Sequence, residues 1–186
     1  NALTQTNAAT GATTFTGAVS VGSASLKGTS YAINNSFASG GTTAITNSGV
    51  ITKNATGNIT STGAFSTTGD VNLAANITTT DTNLTIGGNL VIAEAATPTL
   101  STGAGTAGNV LVSGTTNGTT GGVAETLTVQ AGTGTATFTG NVGNNANGTE
   151  LEALTITNAA ATTFSGTLDL ANALTQTNAA TGTTTF

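Results

Sequence analysis

Two nearly identical segments of this chain constrain its fold more than any other feature of the sequence. Residues 1–15 read NALTQTNAATGATTF and residues 172–186 read NALTQTNAATGTTTF, so they differ only where Ala12 is replaced by Thr183. Equivalent residues, from Asn1 to Asn172, are 171 positions apart. Since such a match does not arise by chance, we predict one complete repeat, residues 1–171, followed by the start of the next, residues 172–186.

A shorter and looser period lies inside the long repeat. Residues 14–19, 137–142 and 163–168 share the pattern Thr-Phe-(Thr/Ser)-Gly-x-(Val/Leu). Apolar anchors recur in seven steps of 21 to 28 residues, at Phe15, Phe37, Phe65, Ile86, Val112, Phe138, Phe164 and Phe186. Tandem units of this length are typical of solenoids, in which each unit buries its apolar face against its neighbours.

Each unit has the pattern of two or three short β-strands. Apolar residues alternate with Thr, Ser or Asn, as in residues 154–157 and 71–73, which indicates strands with one buried face. Thr is about a quarter of the chain and favours strands, while Gly and Asn suit the turns. We therefore predict an all-β parallel β-helix (β-solenoid) with about seven coils per 171-residue repeat, with Asn ladders between coils. An array of β-sandwiches is the alternative.

The charge pattern argues against several classes of partner. Charged residues are 5% of the chain, the net charge is −5, and Lys27 and Lys53 are its only positive side chains. Two lysines cannot neutralise a run of phosphates, so we predict no nucleic-acid binding. No apolar run approaches the ~20 residues of a membrane helix, so we predict no membrane insertion. The first residue is Asn, which favours an internal piece of a larger processed protein.

Candidate nucleophiles are few. The chain has no His and no Cys, which leaves a Ser–Lys pair, with Lys27 or Lys53 near Ser23, Ser25 or Ser61, as the only conceivable nucleophile and base. We expect both lysines to be solvated at the surface instead. Without His or Cys, zinc and the softer metals have no ligands.

Carboxylates are the other candidate catalysts, because β-helix enzymes that cleave polysaccharides use clustered carboxylates. Glu150 and Glu152 stand two residues apart and would share a face of a strand, and Asp169 lies about one coil later. We expect a solvated acidic patch rather than a catalytic site. The glycine-rich stretches at 40–42 and 87–89 lack the Asp of calcium-binding nonapeptides. We predict no catalytic, cofactor-binding or metal-binding residues, no cofactor, and no enzymatic activity.

Two surface features remain open. Thr-x-Thr arrays on a solenoid can bind ice, but ordinary solvent-facing threonines are the simpler interpretation; they occur at Thr4/Thr6, Thr133/Thr135/Thr137, Thr155/Thr157 and Thr175/Thr177. Asn-x-Ser/Thr triplets are expected by chance in this composition, although exposed ones could be glycosylated. They begin at Asn34, Asn54, Asn58, Asn76, Asn83, Asn117 and Asn147.

The repeated motif resembles the β-strand repeats of large bacterial surface proteins. These include autotransporter passengers, haemagglutinin-like adhesins and giant repetitive cell-surface proteins. The resemblance spans nearly the whole chain and implies a right-handed parallel β-helix that is secreted to the cell surface, but it transfers no functional residue. We therefore expect an extracellular structural fibre, stalk or sheath that self-associates end to end or laterally. The alternatives are an adhesin stalk with a binding tip elsewhere, and an ice- or glycan-binding solenoid that contacts surface glycans.

Overall fold

The protein is an all-β solenoid of about eight turns. The computed structural model describes residues 1–6, 11–105, 108–119, 124–177 and 182–186. The chain runs through three parallel sheets in a fixed order, and we call these sheets faces A, B and C. All strand pairs among the described residues are parallel, which confirms the β-helix and excludes the sandwich array.

Face A has nine strands: β1 (Ala2–Gln5), β4 (Ser23–Gly28), β7 (Thr43–Asn47), β10 (Phe65–Thr67), β13 (Leu84–Ile86), β16 (Val110–Val112), β19 (Thr135–Phe138), β21 (Ala161–Phe164) and β23 (Thr183–Thr185). Face B has six: β2 (Ala12–Phe15), β5 (Ser30–Ile33), β8 (Ile51–Lys53), β11 (Val71–Leu73), β14 (Leu90–Ile92) and β17 (Thr116–Asn117). Face C has eight: β3 (Val19–Val21), β6 (Phe37–Ser39), β9 (Ile59–Ser61), β12 (Ile77–Thr79), β15 (Thr99–Ser101), β18 (Thr126–Gln130), β20 (Leu151–Asn158) and β22 (Leu170–Gln176).

Face B continues beyond its last strand as single-residue contacts. Thr116 pairs with Val142, and Val142 pairs with Leu168, both in parallel. The described residues contain one helix, the 3-10 turn Asn145–Asn147, so this part of the chain has no helix able to span a bilayer. Each turn therefore contributes one strand, or one such bridge, to each face.

The core is a narrow column filled by one or two inward side chains per strand. Leu84 and Ile86 of β13 are fully buried, and Thr85 between them points outward. In the neighbouring turns Leu84 lies in register with Phe65 on one side and Val110 on the other. Stacking in register places most inward apolar residues over apolar residues of the next turn, so each turn is shielded by the turns above and below it.

The anchor residues do not all lie on one face. Phe65, Ile86, Val112, Phe138 and Phe164 lie one turn apart on face A, but Phe15 belongs to face B and Phe37 to face C. The first two steps of the anchor series therefore each cover four successive strand positions instead of three. The sequence pattern cannot distinguish the faces, because all three use the same short alternating strands.

A column of glycines occupies the corner between faces A and B. A Cβ atom built on Gly140 would lie 2.4 Å from the carbonyl oxygen of Gly114, and one built on Gly114 would lie 2.6 Å from that of Gly88. The same crowding occurs between Gly166 and Gly140. The Gly of the Thr-Phe-(Thr/Ser)-Gly-x-(Val/Leu) pattern is thus required where successive backbones approach too closely for a side chain.

Asparagine ladders occupy the corners, but in most of them a backbone N–H donates to the Asn side-chain oxygen, instead of the amide-to-amide bonds expected from the sequence. Before face A, the Asn109 backbone N–H donates to Asn83 Oδ1 at 3.0 Å, and the Thr135 N–H donates to Asn109 Oδ1 at 2.8 Å. Equivalent bonds lie before face B, at Asp70, Asn89 and Thr115, and before face C, at Asn58, Asn76 and Thr99. One pair, Asn54 Nδ2 to Asn34 Oδ1 at 2.8 Å, joins two side chains directly. These bonds fix the register between turns.

The inward positions should carry most of the stability. We expect Leu84→Ala to lower the free energy of unfolding by about 2–5 kcal/mol, because it removes a fully buried side chain and leaves a cavity. Thr85→Ala, the outward neighbour on β13, should change it by no more than about 0.5 kcal/mol. Urea denaturation followed by circular dichroism measures both. Equal losses of stability in the two variants would contradict the assignment of Leu84 to the inward side and Thr85 to the outward side of β13.

The glycine column gives a second matched pair. We expect Gly140→Ala to lower the free energy of unfolding by about 1–3 kcal/mol, because the added methyl group meets the Gly114 backbone. Gly17 has the same place in the motif but has nothing within 4 Å of a built Cβ, so Gly17→Ala should be neutral or slightly stabilising. The same denaturation experiment compares them, and a harmless Gly140→Ala variant would disprove the close approach.

Candidate functional site

Lys53 is the most unusual polar side chain of the solenoid. It is the last residue of β8, and only 1% of it is exposed, so its ammonium group lies inside the column. The Nζ atom donates to the carbonyl oxygens of Asn54 at 2.6 Å, Thr56 at 2.8 Å and Ile33 at 3.4 Å. Burial lowers the pKa of Lys53 below the ordinary lysine value. The ammonium group is thus held by three backbone carbonyl oxygens instead of by a carboxylate.

The expectation that Lys53 is a solvated surface residue is therefore wrong, whereas Lys27 is exposed on face A as expected. The alternating pattern of Ile51-Thr52-Lys53 did place Lys53 on the inward side. Ser61 lies on face C, where its hydroxyl contacts the Gly41 and Ala64 carbonyl oxygens and Thr43 Oγ1. The Lys53 and Ser61 side chains are thus committed to other partners and do not form the nucleophile and base of a Ser–Lys pair.

A second buried ionisable group, Glu125, was not singled out from the sequence. Only 1% of Glu125 is exposed, and the Thr119 hydroxyl donates a hydrogen bond to its Oε1 atom. Gly118 lies against this carboxyl group, because a Cβ built on Gly118 would be 3.5 Å from its carboxyl carbon and 2.9 Å from the Glu150 carbonyl oxygen. No periodic pattern precedes Glu125, so nothing in the sequence indicated its burial.

The three carboxylates expected to cluster have different surroundings. Glu152 Oε1 accepts a hydrogen bond from Asn172 Nδ2 at 3.2 Å on the exposed surface, whereas Glu150 Oε2 is buried without a hydrogen-bond partner among the described residues. Only the backbones of Asp169 and Glu150 are shown to approach each other: a Cβ built on Gly143 would collide with the Asp169 carbonyl oxygen and lie 3.4 Å from Glu150 Cα. Glu152 is thus solvated as expected, whereas one carboxylate oxygen of Glu150 is buried.

The Thr-x-Thr pairs do not form a single flat array. Thr135 and Thr137 lie on face A, whereas Thr155 and Thr175 lie on face C. The outward row of face A, read along the axis, is Thr4, Ser25, Ala44, Ser66, Thr85, Leu111, Thr137, Thr163 and Thr185. Hydroxyl side chains dominate this row, but Ala44 and Leu111 interrupt it.

The Asn-x-Ser/Thr triplets divide by their role in the turns. Several supply acceptors to the corner ladders, among them Asn58, Asn76 and Asn83. Asn147 ends the 3-10 turn and is exposed. Asn117 has a buried Oδ1 atom without a partner among the described residues. Asn147 is thus better placed for modification than the ladder residues.

The described part of the chain has no enclosed site to which chemistry can be assigned. No pocket opens among these residues, and they contain no group of three or more His, Cys, Asp or Glu side chains arranged to hold a metal ion. The glycine-rich stretches at 102–108 and 117–122 fall partly outside the described residues. No known protein family, no curated protein and no solved structure matches the chain.

The pKa of Lys53 predicts a pH-dependent contribution to stability. Because the folded-state pKa lies below the unfolded value of about 10.4, the unfolded chain binds more protons as the pH rises from the folded pKa towards 10.4. In that window the free energy of unfolding of the wild type should rise relative to that of Lys53→Met. Burial raises the pKa of Tyr31, whose side chain also faces the interior of face B, but that residue is common to both proteins and cancels.

Urea titrations between pH 8 and 10.5 measure this difference. Lys27→Met, which removes the exposed lysine, is the matched control for the loss of one positive charge. A wild-type minus Lys53→Met difference that stays flat or falls with pH would show that the Lys53 ammonium is not held inside the column.

Proposed function

We propose that this chain is part of a structural protein in which stacked solenoid repeats form a rigid extracellular fibre, stalk or sheath at a cell surface, and that it is not an enzyme. The observation that carries the proposal is the parallel in-register stacking of every described turn on the next, combined with the 171-residue repeat in the sequence. A solenoid whose strands are paired along its whole length, and whose sequence repeats, is suited to building a longer rod rather than to catalysis.

The energetics of stacking favour length. A turn alone cannot shield its inward side chains, and each added turn buries apolar surface on both neighbours. In the described part of the chain, the strand edges along the body are occupied by neighbouring turns, which leaves no free edge there for irregular association with other proteins. Near-identical repeats joined end to end would therefore give a stiff rod whose stability grows with the number of turns.

The outer surface is compatible with close lateral packing. The outward rows of the three faces consist mainly of Thr, Ser, Ala and Asn, and only nine Asp, Glu and Lys side chains occur in the whole chain. Such a surface has little electrostatic self-repulsion at physiological salt. Scarcity of lysine and arginine also gives few cleavage sites to trypsin-like proteases. Self-association into bundles or sheaths is thus part of the proposal.

Two alternatives remain as further candidates. In the first, the same repeats form a stalk, and the binding tip that the stalk displays lies elsewhere in a longer chain. The hydroxyl row of face A favours a second candidate, contact with ice or surface glycans, although Leu111 interrupts its regular spacing. Thermal hysteresis and glycan-array binding test that candidate, and no signal in either assay would remove it.

Electron microscopy of a chain with several consecutive repeats tests the structural role. The strand order gives each 171-residue repeat seven and two-thirds turns, so at ~4.8 Å per turn each repeat should add about 37 Å to a straight, unbranched rod. Continuous fibres or laterally ordered bundles support a filament, and single rods that end in a globular head support a stalk. Flexible strings of separate particles would disprove the proposal, since each repeat would then fold alone.

A further inference from the structure

The described residues of the repeated 15-residue segment fold in the same way at both of its positions. Leu3 and Leu174 point inward in both copies. In the first copy Gln5 Nε2 donates to Thr13 Oγ1 at 3.2 Å, and in the second Thr184 Oγ1 donates to Gln176 Oε1 at 2.7 Å. The same pair of positions is thus hydrogen-bonded in both places, so the segment itself specifies this local structure.

The two copies nevertheless lie on different faces. The first copy supplies β1 to face A and β2 to face B, whereas the second supplies its equivalent strands, β22 and β23, to faces C and A. Because the chain visits the faces in a fixed order, it takes 23 steps from one strand position to the next between β1 and β22, counting Val142 and Leu168 as positions on face B. At three positions per turn, one repeat makes seven turns and two-thirds of an eighth.

We propose that consecutive repeats form one uninterrupted solenoid in which each repeat is turned back by one face, a third of a turn, relative to the repeat before it. The partner that the last turn of residues 1–186 accepts is thus the next copy of the same repeat, presented in this rotated orientation. This inference rests on the proposed function only in taking the repeats to follow one another along a rod.

β1 and β22 are the same strand of the repeat, and they pair through opposite edges. A single copy of the segment can therefore make both sets of contacts. β22 pairs with β20 of the preceding turn, and Thr177 N–H donates to the Ile156 carbonyl oxygen at 3.1 Å. β1 instead pairs with β4 of the following turn, and Gly22 N–H donates to the Asn1 carbonyl oxygen at 2.6 Å. A segment between two repeats can therefore pair on both sides without changing its register.

Aromatic side chains continue through the same joint. Phe138 stacks on Phe164 with ring centroids 5.3 Å apart, and Phe164 stacks on Phe186 at 5.5 Å. Phe15, the equivalent of Phe186, contacts Tyr31 of the next turn at 6.5 Å in a stacked arrangement. Joining the copies gives a column of rings that runs from Phe138 to the Tyr31 counterpart in the following repeat. The apolar core is therefore continuous across the junction.

The rotation determines what the rod presents to its surroundings. After three repeats, or three times 171 residues, the faces return to their starting orientation, which is 23 turns and about 110 Å along the axis. A feature that occurs once in a repeat, such as exposed Lys27 on face A, moves to another face in each successive repeat. The rod thus has no unique side, and a neighbouring rod can pack against any of its three faces.

Thiol cross-linking in a protein of two consecutive repeats tests the rotation. Thr175 is the fourth residue of the second repeat, and the structure places it in register with Thr155 on face C. Dibromobimane should therefore bridge the Thr155→Cys/Thr175→Cys pair, because Cα atoms of neighbouring parallel strands are ~4.8 Å apart. Cysteine at position 175 should also be bridged to cysteine at the Ser25 counterpart of the second repeat, as Thr4 and Ser25 are register partners.

A repeat without rotation would instead place Thr175 over Thr163 on face A, so bridging of Thr163→Cys/Thr175→Cys would overturn the inference. The Thr137→Cys/Thr163→Cys pair lies in register within one repeat and is the positive control. Rods without the Thr155–Thr175 bridge would reject the rotation and leave the proposed function standing. Two-repeat chains that form no rod, while the control pair is bridged, would reject the proposed function as well.

Discussion

Parallel pairing of short strands in register, turn upon turn, is the interaction on which the rest of this structure depends. Each inward residue lies over an inward residue of the adjacent turn, as Leu84 does between Phe65 and Val110. Backbone hydrogen bonds and burial of the apolar column therefore form together or not at all. The glycine column at one corner and the Asn ladders at all three exist to permit this close approach and to fix its register.

This arrangement explains a composition that would be weak in an ordinary globular core. A narrow column does not need Trp or Met, because one or two Val, Ile, Leu or Phe side chains per strand fill its cross-section. Outward positions need only side chains that suit a pleated surface, which is why Thr is so frequent. Lys53 departs from this pattern, because its ammonium group takes an inward position and three backbone carbonyl oxygens compensate for the loss of water.

The sequence predicted the fold class because its repeats and its alternation are both direct consequences of stacked strands. The prediction was less accurate about the faces: Phe15 and Phe37 were grouped with the anchors of face A, yet they belong to faces B and C. Lys53 was expected in solvent because a charge is rarely buried, and Glu125 was overlooked because its burial depends on contacts with Gly118 and Thr119. Such side-chain environments arise from neighbouring turns, which local sequence does not describe.

The proposed fibre follows from the same constraint, since a solenoid that buries its core only through neighbours gains stability from every added turn. Diffraction from an oriented film of multi-repeat rods tests the central claim most directly. Strands stacked along the rod should give a reflection near 4.8 Å parallel to the long axis. The same reflection perpendicular to that axis, as from strands that run along the rod, would contradict the stacked parallel turns.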